Sequence, residues 1–120
     1  MKRHLCAIAL ASLGLISISQ PASARPEIAS GDQLLTTTVE GCLSRADRLI
    51  ADLGVQSDQG SIDRTGYFED GTFRILCYGA GDDSSLAIVF ATHDQSADVA
   101  SSFIQMMLTE LSRSESVSQQ

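Results

Sequence analysis

The sequence is short of positive charge, with eight lysines and arginines against fifteen aspartates and glutamates, a formal net charge of −7. A phosphate backbone repels such a surface, so the composition argues against nucleic acid as a partner. The chain also has only two histidines and three cysteines, and it contains no Cys-x-x-Cys. Because both a four-ligand zinc set and a thiol-exchange motif are missing, the sequence predicts no metal site and no cofactor.

The longest apolar run, residues 5–18, is too short to span a bilayer, since a spanning helix needs about 20 residues. A basic start at residues 2–4 precedes the run, and residues 22–24 (Ala-Ser-Ala) have the small-x-small pattern that signal peptidases read. We therefore expect residues 1–24 to be a signal peptide cleaved after Ala24. The mature chain is then periplasmic or secreted, with no membrane association after cleavage.

Cleavage would leave one small domain carrying six arginines and all fifteen carboxylates, a formal charge of −9. A domain of this length buries a modest core and gains from a covalent link. Cys42 and Cys77 would be its two cysteines, and an even pair in an oxidising compartment predicts a disulfide. Free thiols and metal or redox chemistry are the alternatives.

The hydrophobic pattern divides the mature chain into a flexible lead-in at 25–35, an α+β domain at 36–112 and a disordered tail at 113–120. A first helix begins at a capping box formed by Thr37 and Glu40. Its predicted buried stripe consists of Val39, Cys42, Leu43, Ala46, Leu49, Ile50 and Leu53. The side predicted to face water carries Arg45, Arg48 and Asp52, and Gly54 ends the helix.

Residues 70–71 (Asp-Gly) stand between two strand-like runs, which is a strong hairpin signal. A turn at that pair predicts Phe68 opposite Phe73 and Tyr67 opposite Arg74. Alternation gives a core face of Ile62, Phe68, Phe73, Ile75 and Cys77, and an opposite face of Thr65, Tyr67, Arg74, Leu76 and Tyr78. Cys77 then points toward the layer that contains Cys42, which strengthens the disulfide prediction.

A third strand over residues 86–92 alternates large and small apolar residues, and a last helix follows a cap at Asp94 or Ser96. The apolar arc of that helix consists of Val99, Ala100, Phe103, Ile104, Met107, Leu108 and Leu111, with Met106 outside it. We predict a small two-layer α+β domain in the order helix, three-stranded antiparallel meander, helix, with one disulfide. Both helices cover the core face, so the other sheet face is left open.

That open face supplies the predicted binding site, because tyrosine, arginine and apolar residues are typical of interface centres. The predicted site residues are Tyr67, Arg74, Leu76, Tyr78 and Val89. The functional hypothesis is an exported, non-enzymatic binding module whose partner is another protein or a second copy of the chain. An ordinary solvated sheet face, with Arg74 and Tyr67 forming a stabilising cross-strand pair, is the simpler alternative.

A second hypothesis is a small hydrolase or cation-dependent enzyme built on His93 and nearby acids. His93 lies at a strand end beside Asp94, about 25 Å from Ser84 or Ser85 at 3.3 Å per residue. Neither serine lies in Gly-x-Ser-x-Gly, so the sequence favours a protein that is not an enzyme. The acidic turns lack the twelve-residue spacing of a calcium loop. A structural or stress-related protein without a specific ligand is the third hypothesis.

Overall fold

A computed structural model describes residues 27–117, with side chains described as far as residue 113. The elements in chain order are β1 (Ile28–Leu35), α1 (Val39–Leu53), β2 (Gln56–Gln59), β3 (Asp63–Phe68), β4 (Gly71–Gly79), β5 (Ser85–His93) and α2 (Ala97–Val117). The signal peptide predicted at residues 1–24 lies outside the described residues. Within residues 27–117, neither helix is long and apolar enough to span a bilayer.

The five strands form one antiparallel sheet in the order β1-β5-β4-β3-β2. The α+β fold is therefore as predicted, and β3, β4 and β5 form the expected meander. The prediction of three strands is wrong, because the sheet gains a strand at each edge. Both missed strands have weak sequence signals: β1 contains Gly31 and Asp32, and β2 is entirely polar and exposed. Their backbones pair with neighbours that already have a strong strand pattern.

The predicted ends of the domain change accordingly. The lead-in at 25–35 is not a loop over its described length, since Ile28–Leu35 is β1 and pairs with β5. At the other end, the tail predicted from residue 113 is helical as far as Val117. Residues 118–120 lie outside the part of the chain that the structure describes.

Helix α1 has the predicted apolar stripe and ends at Gly54 in the left-handed conformation, with φ of 69°. Its N-cap is Thr38 rather than Thr37, since the Thr38 hydroxyl accepts the backbone N–H of Gly41 at 3.1 Å. The prediction that Arg45 faces water is wrong. Arg45 is buried, and its Nη1 donates to the Leu111 carbonyl of α2 at 3.0 Å, so its charged end joins the two helices.

The β3–β4 hairpin keeps the predicted faces but not the predicted register. The turn is formed by residues 69–70, so Phe73 lies opposite Gly66 and Arg74 lies opposite Thr65. The ring of Phe73 lies over Gly66 and occupies the space that a side chain at position 66 would need. This contact favours the observed pairing over the one that an Asp-Gly turn would give.

The core lies between the helices and one face of the sheet. Cys42 of α1 and Cys77 of β4 form the predicted disulfide, and both are fully buried. The rings of Phe68, Phe73 and Phe103 pack together with centroids 5.2–5.7 Å apart. Ile62, predicted on this face, precedes β3 and is exposed instead, although its carbonyl accepts the backbone N–H of Cys77.

Helix α2 begins after Ser96, whose hydroxyl accepts the backbone N–H of Val99 as one of the two predicted caps. Its buried face is narrower than the sequence predicts, because Val99 is exposed. Met106 lies outside that face and is exposed as well. The helix crosses close to β1, where a Cβ on Gly31 would lie 2.9 Å from Cγ2 of Ile104.

Candidate functional site: the open sheet face

The sheet face that points away from both helices, called the open face here, is built from cross-strand rows. Three of these rows contain the large apolar side chains of the face and most of its charged ones. The first runs Leu34, Leu86, Tyr78; the second Asp32, Ile88, Leu76, Asp63; the third Ser30, Phe90, Arg74, Thr65, Asp58. Residues of one row are cross-strand neighbours, and adjacent rows are also in side-chain reach.

Large apolar side chains concentrate on the part of this face formed by β1, β5 and β4. This apolar patch consists of Leu34, Leu76, Tyr78, Leu86, Ile88 and Phe90. Leu34 is 59% exposed, Tyr78 44% and Phe90 38%, while the other three are half-buried. The patch is continuous across three strands, and none of these large side chains belongs to the buried core.

A polar border lies beside the patch on β2, β3 and β4, and consists of Asp58, Asp63, Tyr67 and Arg74. Arg74 Nε donates to Oδ2 of Asp63 at 2.7 Å, and Nη2 donates to the same oxygen. The carboxylate of Asp63 is buried, whereas the Arg74 side chain is 56% exposed. The ion pair therefore fixes the guanidinium next to the patch and leaves most of it accessible.

Tyr67 completes the border through a hydrogen bond to β2. Its hydroxyl donates to Oδ2 of Asp58 at 2.7 Å, and the ring is 43% exposed. This hydrogen bond to the carboxylate raises the pKa of Tyr67 above its usual value, because ionising the phenol would remove the donor. The predicted cross-strand pair of Tyr67 with Arg74 is not formed, since Tyr67 lies opposite Thr72.

Four of the five predicted site residues, Tyr67, Arg74, Leu76 and Tyr78, lie together on the open face. The assignment of Val89 is wrong. Its side chain is fully buried in the core between the sheet and the helices. The side chains of β5 alternate between the two faces as predicted, but the set that contains Val89 faces the core and the other set faces solvent.

Sequence reasoning missed the four largest contributors from β1 and β5, namely Leu34, Leu86, Ile88 and Phe90. Helix α2 already brings Phe103, Ile104 and Met107 into the space above the sheet. Small side chains on β1 and β5 are then required beneath it. The sequence signal for this arrangement was the wide apolar arc of the last helix, because its large side chains leave room only for small ones on the strands below.

His93 lies at the far end of β5 and has both ring nitrogens engaged. Nδ1 accepts the backbone N–H groups of Gln95 at 3.2 Å and Ser96 at 3.1 Å, so it is the unprotonated nitrogen. Nε2 then carries the proton and lies 3.2 Å from Oδ2 of Asp70. A cavity of about 210 Å³ borders this pair. Through these contacts, His93 joins the hairpin turn at Asp70 to the start of α2.

The other predicted chemical groups are not brought together. Ser85 is at the opposite end of β5 from His93, and it is fully buried on the core side. Asp82 and Asp83 are exposed in the β4–β5 turn. Across residues 27–117, no three histidine, cysteine, aspartate or glutamate side chains lie close enough together to hold a metal ion.

Comparison with protein-family models and with curated proteins finds no match. Among solved structures, one similar chain is an uncharacterized protein from Bacillus thuringiensis. It is 8% identical in sequence, the match covers 73% of this chain and 98% of that one, and the TM-score is 0.47. At this level the likeness carries no argument about function.

Proposed function

We propose that this protein is an exported, non-enzymatic binding module whose open face docks an apolar segment of a partner protein. The observation that carries the proposal is the apolar patch, in which Leu34, Tyr78 and Phe90 stand exposed beside three half-buried aliphatic side chains. A continuous exposed apolar surface on a small domain is typical of an interaction site.

The polar border supports the same proposal. Stable interfaces combine an apolar centre with a polar rim, and tyrosine and arginine are enriched at their energetic centres. Arg74 is held in one orientation by Asp63, and Tyr67 is held by Asp58. Side chains that are already ordered lose less conformational entropy on binding, so this border favours recognition of a polar group on the partner.

Export is supported by the signal-peptide pattern and by the disulfide. Disulfides persist mainly in oxidising compartments, where the Cys42–Cys77 link would hold α1 on the sheet. The hydrolase hypothesis has weaker support, because His93 uses one nitrogen as an acceptor and the other as a donor in contacts within the fold.

The proposal is tested by placing a photo-reactive residue at Phe90 and, as the control, at Met106 of α2. The two positions are almost equally exposed, 38% and 39%, but they lie on opposite sides of the sheet. In the exported fraction of the producing cell, we expect a discrete cross-linked species from position 90 and none from position 106.

The added substitution Tyr78→Ser should remove this species while leaving the fold intact. Equal cross-linking from the two positions would contradict the proposed site, as would a product from position 90 that is insensitive to Tyr78→Ser.

A further inference from the structure

The two edges of the sheet are unequally protected. Edge strands expose unpaired backbone groups, and natural proteins protect them with short strands, charge or proline. Strand β2 is four polar residues long and includes Asp58. Strand β1 is eight residues long with a single charge, Asp32, and carries Ile28 and Leu34, which are 71% and 59% exposed. These are the two most exposed large apolar side chains of the described residues.

We propose that β1 pairs antiparallel with β1 of a second copy of this chain, about a two-fold axis at Gly31. In the described residues β1 pairs only with β5, so its outer edge is available. If the two sheets continue into one another, paired residues have to come from the same face. A two-fold contact also uses the same surface on both subunits. Under these two conditions the two-fold axis must pass beside one residue of β1, which then lies opposite the same residue of the second copy.

The side chains on the open face select among those registers. Centring on Gly31 places Leu34 opposite Ile28 of the second copy and Asp32 opposite Ser30, twice each by symmetry. Centring on Asp32 places that carboxylate opposite itself. Centring on Ser30 places Ile28 opposite Asp32 and leaves Leu34 without a partner. The Gly31 register alone covers both exposed apolar side chains and keeps like charges apart.

A groove borders β1 on the side of α2. This groove of about 580 Å³ lies between β1 and α2, with walls that include Gly31, Gln33, Gln105 and Thr109. In the Gly31 register, Ala29 of the second copy lies opposite Gln33 at the β1 wall of this groove, where amide and hydroxyl groups line the α2 side.

The resulting dimer is a ten-stranded sheet in which the two open faces lie side by side. It would give the binding surface two apolar patches in a fixed relation, and bivalent attachment strengthens the capture of a repeated or dimeric partner. This inference goes beyond the proposed function. Leu34 belongs to both surfaces. The edge contact otherwise involves only β1, whereas partner docking also uses Tyr78 on β4 and Phe90 on β5, so either can fail alone.

The mass of the mature chain should be measured by sedimentation over a wide concentration range. We expect a monomer–dimer equilibrium. Ser30→Asp places a second carboxylate opposite Asp32 at two symmetric positions and should raise the dimer dissociation constant about tenfold. Ser30→Asn, of nearly the same size but neutral, should leave it within a few-fold of the parent value. Circular dichroism and thermal unfolding should confirm that both variants fold.

Register is tested separately by cysteine cross-linking of the otherwise native, disulfide-containing chain. Ile28→Cys combined with Leu34→Cys should give a covalent dimer under mild oxidation, whereas Asp32→Cys alone should not. A parent chain that is monomeric at every concentration would overturn the proposal. So would a dimer unaffected by Ser30→Asp, or one cross-linked through position 32. If photo-cross-linking from Phe90 persists in a monomeric chain, the face proposal stands and only the edge proposal fails.

Discussion

On strand β5, the side chains that face the helices are small and the side chains that face solvent are large. Toward the helices, β5 presents Ala87, Val89 and Ala91, all buried. Toward solvent it presents the larger Leu86, Ile88 and Phe90. The difference shows that the volume available on each side, rather than hydrophobicity alone, decides where a side chain points. Large side chains of the helices already fill the core side, so the larger side chains of β5 lie on the open face.

The largest expected difference between the faces concerns two phenylalanines. Phe73→Ala should lower the free energy of unfolding by about 3–5 kcal/mol, because it leaves a cavity among Phe68, Phe103 and the sheet. Phe90→Ala on the open face should cost about 1 kcal/mol or less, since its ring is already partly hydrated. Denaturant unfolding of both variants measures the difference. Equal losses would contradict the division into a core face and an open face.

The disulfide should have the next largest effect, because it connects α1 to the core side of β4. It closes a separation of 35 residues, for which loop entropy predicts a loss of roughly 3.5–4 kcal/mol when Cys42→Ala and Cys77→Ala are combined. The measurement is the unfolding free energy of this variant against the oxidised parent. A parent whose stability does not change on reduction would show that the link constrains nothing in the unfolded chain.

A change of side-chain size should have a smaller effect that again depends on the face. Ala87→Leu adds volume under the helices and should cost about 1–3 kcal/mol, because a close-packed layer has to move. Ile88→Phe, one residue along on the open face, also adds volume but toward solvent, and should cost less than about 1 kcal/mol. Thermal unfolding separates the two. A tolerated Ala87→Leu would mean that the helix layer is loosely packed.

The smallest expected effect is the pH dependence of the Tyr67–Asp58 hydrogen bond. The raised pKa of Tyr67 means that the bond contributes stability below the ordinary tyrosine pKa of about 10 and loses it as the pH rises through the folded-state value. In a Tyr78→Phe background, where Tyr67 is the only tyrosine of the chain, tyrosinate absorbance follows this titration. Asp58→Asn should move the titration to lower pH, and an unchanged curve would exclude the bond.

The sequence was sufficient where two periodic patterns agreed. The stripe of α1 and the alternation of β4 each placed a cysteine on the core side, and Cys42 and Cys77 do form the disulfide. It was insufficient where the backbone alone defines an element. β2 is all polar, and β1 contains Gly31 and Asp32, so neither has a pattern to detect before its neighbour is known.

The placement of the candidate site residues on the open face was predictable on β3 and β4 but not on β5. Tyr67, Arg74 and Tyr78 follow from alternation within a hairpin whose core face is marked by Phe73 and Cys77. On β5 both sets of residues are apolar, so alternation defines two faces without saying which is buried. Only the space left by the helices settles that choice, and it places Val89 inside.

The measurement that tests the central claim most directly is the chemical reactivity of Tyr78. Tyr67 and Tyr78 are the only tyrosines in the chain, and both lie on the open face. Chemical modification of Tyr78 should be compared in the purified protein and in the exported fraction of the producing cell. Oxidation of the exposed Met106 serves as the internal reference. We expect Tyr78 to react readily when purified and to be protected in the exported fraction, with Met106 unchanged. Equal reactivity of Tyr78 in the two samples would contradict a partner on the open face.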